Sequence, residues 1–239
     1  MTPMGTGDAH TQAPLPIFIH GSGGDHRVWT QQTACFDGCA VIELPGHPDG
    51  TAVDDAGELA QVVARAIEAT ARPGVLVGHS LGGALALSVA ITRPDLVTGL
   101  VIIASGARLP VPDRVMAALA ENYEAECARL LDGFFVDPQG AALGAAEALA
   151  ACGPETLAAD YAACRSVDLR DRLAEVGVPV LVIAGSDDGL TPPWLSEELT
   201  RGLPLAQMVV IDGTRHMPMV EAPGAVNRLV GAYLARRAL

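Results

Sequence analysis

The chain has 239 residues, half of them hydrophobic, and a formal net charge of −13. This length suits one α/β domain carrying an inserted element. The negative charge disfavours nucleic acid and anionic membrane surfaces as partners, because both would repel it, and the sequence has no uninterrupted apolar run of about 18 residues that would span a membrane.

Residues 1–14 have neither a basic start nor an apolar core, so we predict a disordered arm rather than a secretory signal. The cysteines are odd in number and scattered, which favours free thiols and a cytoplasmic location. Cys35, Cys39 and His47 do not have the spacing of a zinc site, so no metal is expected.

Short runs rich in Val, Ile and Leu alternate with helical patterns. The predicted strands are Ile17–His20, Ala40–Leu44, Val75–Gly78, Gly99–Ala104, Val178–Ala184 and Gln207–Ile211. Because these runs are apolar on both faces, they favour an α/β fold with a mostly parallel, twisted sheet and helices on both faces. Residues 15–108 and 174–239 are predicted to form this core domain.

Residues 109–173 interrupt the alternation, since they contain helical spacing and no convincing strand. The bulky side chains that recur at this spacing are Met116, Leu119, Tyr123, Cys127, Leu130 and Phe134. We therefore predict a small helical cap inserted between two strands. Its large side chains either form the core of the cap or face a pocket, and we take Met116, Tyr123, Phe134 and Tyr161 as candidate substrate contacts.

The stretch VLVGHSLGG contains G-x-S-x-G between a predicted strand and a predicted helix. This is the context of a nucleophile elbow, in which a strained turn exposes the serine hydroxyl at the carboxyl end of the strand. Ser80 is therefore the candidate nucleophile. Gly78 and Gly82 are expected to be small because a Cβ at either position would collide with the neighbouring strand and helix.

A serine hydroxyl needs a base, and the base needs an acid that orients it. Among the six histidines, His216 is the candidate, because it follows the last predicted strand and so lies at the edge where Ser80 emerges. Asp187 and Asp188 follow another strand at the same edge. One of the two is the candidate acid, and the other can serve a turn.

The glycine-rich loop after the first strand, HGSGG, can bring backbone N–H groups close to a developing oxyanion. Ser22 and Leu81 are the candidate N–H donors, and their neighbours Gly21, His79 and Met217 are further candidate substrate contacts. A phosphate-binding loop is the weaker interpretation, because the spacing of a nucleotide fingerprint is missing.

Together these motifs resemble the α/β-hydrolase superfamily, in particular its small capped esterase-like members. The matching stretches are IFIHGSGGDHRVW (17–29), ELPGH (43–47), VLVGHSLGG (75–83), VPVLVIAGSDDGLTPP (178–193) and IDGTRHMPMVEAP (211–223). The family pattern selects Asp188 as the acid. Family members usually begin with a β-hairpin, which residues 1–14 are too short to supply, so we expect one or two edge strands to be missing. Pro48-Asp-Gly also replaces the usual Gly-x-Ser, which changes one pocket wall.

The resemblance implies a serine hydrolase that cleaves carboxylic esters of short to medium acyl chain through an acyl-enzyme, without metal or organic cofactor. The expected partner is a small-molecule ester, and the expected state is a monomer or weak homodimer. The same triad also serves thioesterases, lactonases and carbon–carbon bond hydrolases, which stay open as alternatives. A non-catalytic binding protein of the same fold is the alternative from a different class.

Overall fold

The computed structural model describes residues 14–137 and 143–237, so residues 1–13 of the predicted arm lie outside the described residues. The strands are β1 (Leu15–Ile19), β2 (Ala40–Ile42), β3 (Gly74–His79), β4 (Val97–Ile103), β5 (Val180–Gly185) and β6 (Ala206–Ile211). They form one parallel sheet in the order β2-β1-β3-β4-β5-β6. Each predicted strand is present with ends shifted by at most two residues, which confirms the predicted fold class.

Helices connect the strands and cover both faces of the sheet. They are α1 (Thr30–Thr33), α2 (Ala56–Ala69), α3 (Leu81–Thr92), α4 (Asp113–Glu121), α5 (Tyr123–Phe134), α6 (Leu143–Ser166), α7 (Pro193–Gly202), α8 (Pro218–Glu221) and α9 (Pro223–Ala235), with 3-10 turns at His26–Trp29, Pro94–Leu96 and Arg170–Glu175. None of the described helices is long and apolar enough to cross a membrane.

Alternating strand residues supply two separate hydrophobic cores. Ile17 and Ile19 face the core shared with α2, α3 and α7, whereas Phe18 faces the core shared with α9 and the cap. Since both sets of side chains are buried, the strands are apolar on both faces, as a covered parallel sheet requires.

The order of the strands places the loops that carry the candidate site. The chain moves from β1 outward to β2 and then returns to β3 on the other side of β1, so β1 and β3 flank a switch point where α/β proteins bind ligands. Ile19 pairs with Gly78, and Gly185 pairs with Ile211. The loops after β1 and β3 are therefore neighbours, and so are the loops after β5 and β6.

The cap consists of α4, α5 and α6. The helical spacing from Met116 to Phe134 is divided at Asn122, whose side chain accepts a hydrogen bond from the Ala125 N–H and so starts a new helix. The range of α6 is likewise divided into two helical stretches at Gly153, which has a non-helical φ of 77° and precedes Pro154.

Candidate active site

Ser80 occupies a strained turn between β3 and α3, with φ 51° and ψ −119°. Two glycines allow the close approach that this turn needs. A Cβ on Gly78 would lie 2.4 Å from the Gly82 carbonyl oxygen, and a Cβ on Gly82 would lie 2.3 Å from the His20 carbonyl oxygen. The strand and helix therefore accept only glycine at these positions, and the backbone strain is of the kind that functional sites retain.

The turn directs Ser80 into a cavity with a volume of about 220 Å³, the main cavity, which is also lined by His216. The Ser80 N–H donates to the Ile103 carbonyl at 3.0 Å, and the Ser105 hydroxyl donates to the Ser80 carbonyl at 2.7 Å. The backbone of Ser80 is thus held on both sides, while its side chain faces the cavity.

His216 is paired with Asp188 beside this cavity. The imidazole Nδ1 lies 2.9 Å from Asp188 Oδ2, and both residues are buried. Further donors hold the carboxylate in place. Asp188 Oδ1 accepts from the Leu190 and Thr191 N–H groups at 2.8 and 2.9 Å, and Oδ2 accepts from the Thr191 hydroxyl at 2.7 Å.

These contacts keep Asp188 ionised. Burial alone would raise the pKa of its carboxyl, but the nearby His216 and the hydrogen bonds from His216 and Thr191 together lower the pKa below its ordinary value. A carboxylate acceptor at Nδ1 fixes the imidazole tautomer that leaves Nε2 free to accept a proton.

Asp187 differs from Asp188 in its exposure and in its hydrogen-bond partners. Its side chain is exposed and accepts from the Ser186 hydroxyl at 3.0 Å, and its N–H donates to the Thr214 carbonyl at 2.9 Å. These are turn contacts, so of the two aspartates only Asp188 lies next to His216.

His79 lies behind His216 and supports it. Its Nε2–H donates to the His216 carbonyl at 3.0 Å, and the two rings are 4.7 Å apart. Burial, with a smaller contribution from the nearby His216, lowers the pKa of His79 to about 3. His79 is therefore neutral near pH 7 and contributes a hydrogen bond rather than a charge.

His20 hydrogen-bonds to the candidate oxyanion loop, the HGSGG segment after β1. The His20 Nδ1–H donates to the Gly21 carbonyl at 2.9 Å, and its Nε2 accepts from the Leu44 N–H at 3.0 Å. Burial lowers the pKa of His20 to about 3, so it stays neutral in this role. Ser22 lines the cavity, and Leu81 is the first residue of α3, where N–H groups have no partner within the helix.

Residues 17–229 of the chain match the family model of the Alpha/beta hydrolase family. The chain belongs to the alpha/beta hydrolase family. It is 31% identical over 223 residues to a pimeloyl-[acyl-carrier protein] methyl ester esterase of Neisseria meningitidis serogroup B, covering 84% of this chain and 85% of the relative.

Solved structures agree with this assignment. A thermophilic esterase has a TM-score of 0.85 and 29% identity, covering 95% of this chain and 91% of that one. The enol-lactonase from Burkholderia xenovorans LB400 has a TM-score of 0.87 at 20% identity, covering 96% and 94%, and supports the fold alone. The predicted superfamily and the predicted enzyme class, a serine hydrolase of carboxylesterase type, are confirmed.

The cap of this alpha/beta hydrolase contributes only some of the predicted contacts. Phe134 and Tyr161 line the main cavity, and the Phe134 ring stacks on His216 with centroids 5.7 Å apart. Met116 and Tyr123 line neither of the cavities found among the described residues. The Tyr123 hydroxyl donates to the Leu149 carbonyl at 2.5 Å, so this ring joins cap helices together, and Met116 packs against the same core.

Gly21, His79 and Met217 line a second, smaller cavity on the other side of the oxyanion loop. Its volume of about 10 Å³ is close to that of one water-sized sphere. Ser22 and Phe134 border both cavities, so these two residues separate them. These predicted contacts thus lie beside the site rather than in its main space.

Other lining residues carried no distinctive signal in the sequence. The apolar ones include Leu109, Val111, Val115 and Leu190, and Arg114 adds positive charge, whereas Arg129 is paired with Glu126. Leu190 follows the acid by two positions, so its nearness could have been inferred. The others lie on the segment entering the cap or on α4 and α5, whose orientation over the sheet is a tertiary property.

One group of potential metal ligands occurs among the described residues. His47, Cys152 and Asp160 place ligand atoms within 4.8 Å of one another. Both oxygens of the Asp160 carboxylate, however, accept hydrogen bonds: Oδ1 from His47 Nε2 at 3.1 Å, and Oδ2 from the Gly23 N–H at 2.8 Å. Hydrogen bonding accounts for this cluster without an ion.

Proposed function

We propose that this protein hydrolyses small carboxylic esters, with Ser80 as nucleophile, His216 as general base and acid, and Asp188 as the orienting carboxylate. The observation that carries the proposal is the pairing of a buried, ionised Asp188 with His216 at 2.9 Å, on the same cavity into which the strained turn directs Ser80. A non-catalytic member of the fold would not need this arrangement.

In the proposed reaction, Ser80 Oγ attacks the ester carbonyl carbon while His216 Nε2 takes its proton. The tetrahedral intermediate collapses, the carbon–oxygen bond to the alcohol breaks, and the imidazolium returns the proton to the departing alcohol. Water then attacks the acyl-enzyme with His216 again as base, which releases the carboxylic acid and restores Ser80. Asp188 stabilises the imidazolium in both halves of the cycle.

Negative charge develops on the carbonyl oxygen in each tetrahedral intermediate. We assign its stabilisation to the N–H groups of Ser22 and Leu81, which come from the loops after β1 and β3. The N-terminus of α3 adds a partial positive charge at the same point. The Ser80 hydroxyl makes no hydrogen bond to a described residue, and catalytic contacts of this kind commonly tighten only when substrate binds.

The size of the main cavity supports a preference for short to medium acyl chains. Its volume of about 220 Å³ lies below the 300–1,000 Å³ that is typical of sites for drug-sized ligands. The lining is mostly apolar, which suits an alkyl chain, but Arg114 also lines the cavity and would stabilise a carboxylate on the acyl chain. Arg129 lines the cavity as well but is paired with Glu126. The relatives named as pimeloyl-[acyl-carrier protein] methyl ester esterases agree with a methyl ester as the scissile group.

The test is a panel of methyl esters of fatty acids and monomethyl esters of dicarboxylic acids, together with the matching thioesters, with Ser80→Ala as the blank. We expect ester hydrolysis that Ser80→Ala abolishes, with kcat/KM highest at short to medium acyl length. Faster turnover of thioesters would move the assignment to a thioesterase.

Labelling with a fluorophosphonate probe separates the enzyme from a binding protein. We expect the wild-type chain to be labelled on Ser80 and the folded Ser80→Ala variant to remain unlabelled. A wild-type chain that neither reacts with the probe nor hydrolyses any ester of the panel would contradict the proposal.

The five cysteines are free thiols, which supports the cytoplasm as the location.

A further inference from the structure

The oxyanion loop is tied to the cap by a buried carboxylate that the catalytic mechanism does not use. Asp160 lies on α6 and is 3% exposed. It accepts the Gly23 N–H at Oδ2, 2.8 Å away, and pairs with His47 at Oδ1. The separation of 137 residues between Gly23 and Asp160 makes this a contact between two distant parts of the chain.

A second buried side chain fixes the other end of the same loop. His20 donates to the Gly21 carbonyl, and its ring meets the His47 ring edge-on with centroids 4.8 Å apart. Ser22, the proposed oxyanion donor, therefore lies between two residues whose backbone groups are each held by a buried side chain. The Ser22 hydroxyl is also 3.4 Å from Cys164 Sγ, on α6 as well.

We propose that Asp160 is a positioning residue for the oxyanion hole, which acts by holding the Gly23 N–H and thereby aiming the Ser22 N–H at the developing oxyanion. The inference rests on the proposed ester hydrolysis. A buried N–H that loses its acceptor must find another partner, so we expect loss of Asp160 to rotate the backbone at Gly23, the residue next to Ser22. The cap thus takes part in transition-state stabilisation as well as in enclosing the substrate.

The first measurement compares Asp160→Ala with Asp160→Asn. The asparagine side chain keeps an oxygen that can accept from Gly23, whereas alanine removes it. Outright loss of an oxyanion donor costs about 10²–10³-fold in kcat, and a misaimed donor should cost less, so we expect kcat of Asp160→Ala to fall about 10- to 100-fold. KM should change little, and Asp160→Asn should restore most of the loss.

The second measurement uses a trifluoromethyl ketone carrying the acyl group of the best ester. Ser80 Oγ adds to its carbonyl carbon, the proton passes to His216, and the resulting oxyanion occupies the hole. Since this adduct resembles the transition state, its affinity should fall in Asp160→Ala by about the same factor as kcat. A residue that only stabilises the fold would not link these two quantities.

Leu119→Ala is the matched control. Leu119 is a buried cap residue that lies outside the lining of both cavities, so this variant weakens the cap without touching the loop. We expect a lower Tm but wild-type kcat and inhibitor affinity. If Asp160→Ala does not fold, Asp160→Asn decides alone, because the proposal requires it to keep near wild-type kcat and inhibitor affinity.

The outcomes separate this proposal from the proposed function. A wild-type chain without esterase activity or probe labelling removes the function itself. An active wild type whose folded Asp160→Ala variant keeps full kcat and inhibitor affinity overturns only the role of Asp160, as does an Asp160→Asn variant that loses as much as alanine. A Leu119→Ala variant that loses as much kcat as Asp160→Ala would reduce Asp160 to general cap stability.

Discussion

The two halves of the proposed active site are built in different ways. In the acid–base half, formed by Asp188 and His216, the carboxylate is held by residues near it in the sequence, such as Thr191, at two adjacent strand ends. The oxyanion half, formed by the loop after β1, is held at the Gly23 N–H by Asp160 from the inserted cap. The hydrogen bonds to the proposed acid thus come from its own loop and from His216, whereas a backbone group of the oxyanion loop is held from the cap.

Because the oxyanion loop contacts α6 and the proposed triad does not include a cap residue, the sequence of the cap can change while the triad residues stay in place. A change in α6 can alter oxyanion stabilisation and substrate fit together, because Asp160 and Tyr161 are consecutive and face the loop and the main cavity respectively. The acid–base half also contacts the cap, because Phe134 stacks on His216 and accepts the Met217 N–H at its carbonyl. Arg215, next to His216, donates to the Asp132 and Phe135 carbonyls of the same region.

Removing the nucleophile should disable both halves at once and sets the upper limit for every other effect. We expect Ser80→Ala to fold normally and to lose on the order of a million-fold in kcat, as loss of a triad serine does elsewhere. Melting temperature and ester turnover are measured on the same preparation. A folded variant with wild-type turnover would remove Ser80 from the mechanism.

Disabling only the acid–base half should cost less. Asp188→Asn presents an amide to His216 and so favours the wrong tautomer, for which we expect a loss of about ten-thousand-fold in kcat. Asp187→Asn is the matched control, since Asp187 is exposed and makes turn contacts, and its effect should be mild.

The reverse order of these effects would assign the acid to Asp187 and would show that the 2.9 Å contact between Asp188 and His216 is not the catalytic one. The loss of kcat in Asp188→Asn can then be compared with the loss in Asp160→Ala, which shows how much each half contributes. We expect the acid–base half to dominate by a wide margin.

Each half also contains one buried neutral histidine, and acid should weaken both. The pKa of His20 and of His79 is lowered from 6.5 to about 3, chiefly by burial. As the pH falls from 6.5 towards 3, the unfolded chain takes up protons that the folded chain excludes, so the free energy of unfolding decreases. The decrease should reach about 1.4 kcal/mol per pH unit for each imidazole.

Urea unfolding at about pH 7 and at about pH 5 measures this loss, since the first pH lies above the ordinary pKa of 6.5 and the second lies between 6.5 and the folded value of about 3. His20→Gln and His79→Gln should each reduce the difference in unfolding free energy between the two conditions. If neither substitution changes that difference, other groups govern the acid sensitivity and both imidazoles are protonated without cost.

The acid–base half was the more predictable from the sequence, for a physical reason. The proposed nucleophile, acid and base each lie in the turn or loop at the carboxyl end of a strand, and parallel strands bring these ends to one edge, so short motifs in chain order locate them. The residues alone leave Asp187 and Asp188 as alternatives, and the resemblance to the family selects Asp188. The structure then places Asp188 beside His216.

The cap was less predictable, because its contacts depend on how helices pack and not on local pattern. Helical spacing shows which side chains lie on one face, but not whether that face meets a cavity or another helix. Tyr123 and Phe134 shared the same periodicity, yet only Phe134 lines the cavity. Asp160 had no motif at all, since its partner Gly23 belongs to a distant loop.

The smallest expected effects concern the length of the substrate's acyl chain. They compare the cap side chains that line the cavity beside the acid–base half and beside the oxyanion half. Each buried CH₂ contributes roughly 0.8 kcal/mol, so wild-type kcat/KM should rise about fourfold per carbon and then fall once the chain meets the cap. Phe134→Ala, on the acid–base side, and Tyr161→Ala, on the oxyanion side, should both move this optimum to longer chains. Phe134→Ala should also lower kcat for every ester, because its ring stacks on His216.

Tyr123→Ala is the control for these two variants, since Tyr123 is half-buried between cap helices and does not line the main cavity. It should lower the free energy of unfolding, by less than the about 3–5 kcal/mol that loss of a fully buried aromatic side chain costs, without moving the optimum. Profiles of kcat/KM against acyl length for the wild type and the three variants decide the matter. If wild-type kcat/KM keeps rising up to long-chain lipids, the cap does not limit the length of the acyl chain. An open groove, which gains from every added carbon, would then replace the enclosed cavity.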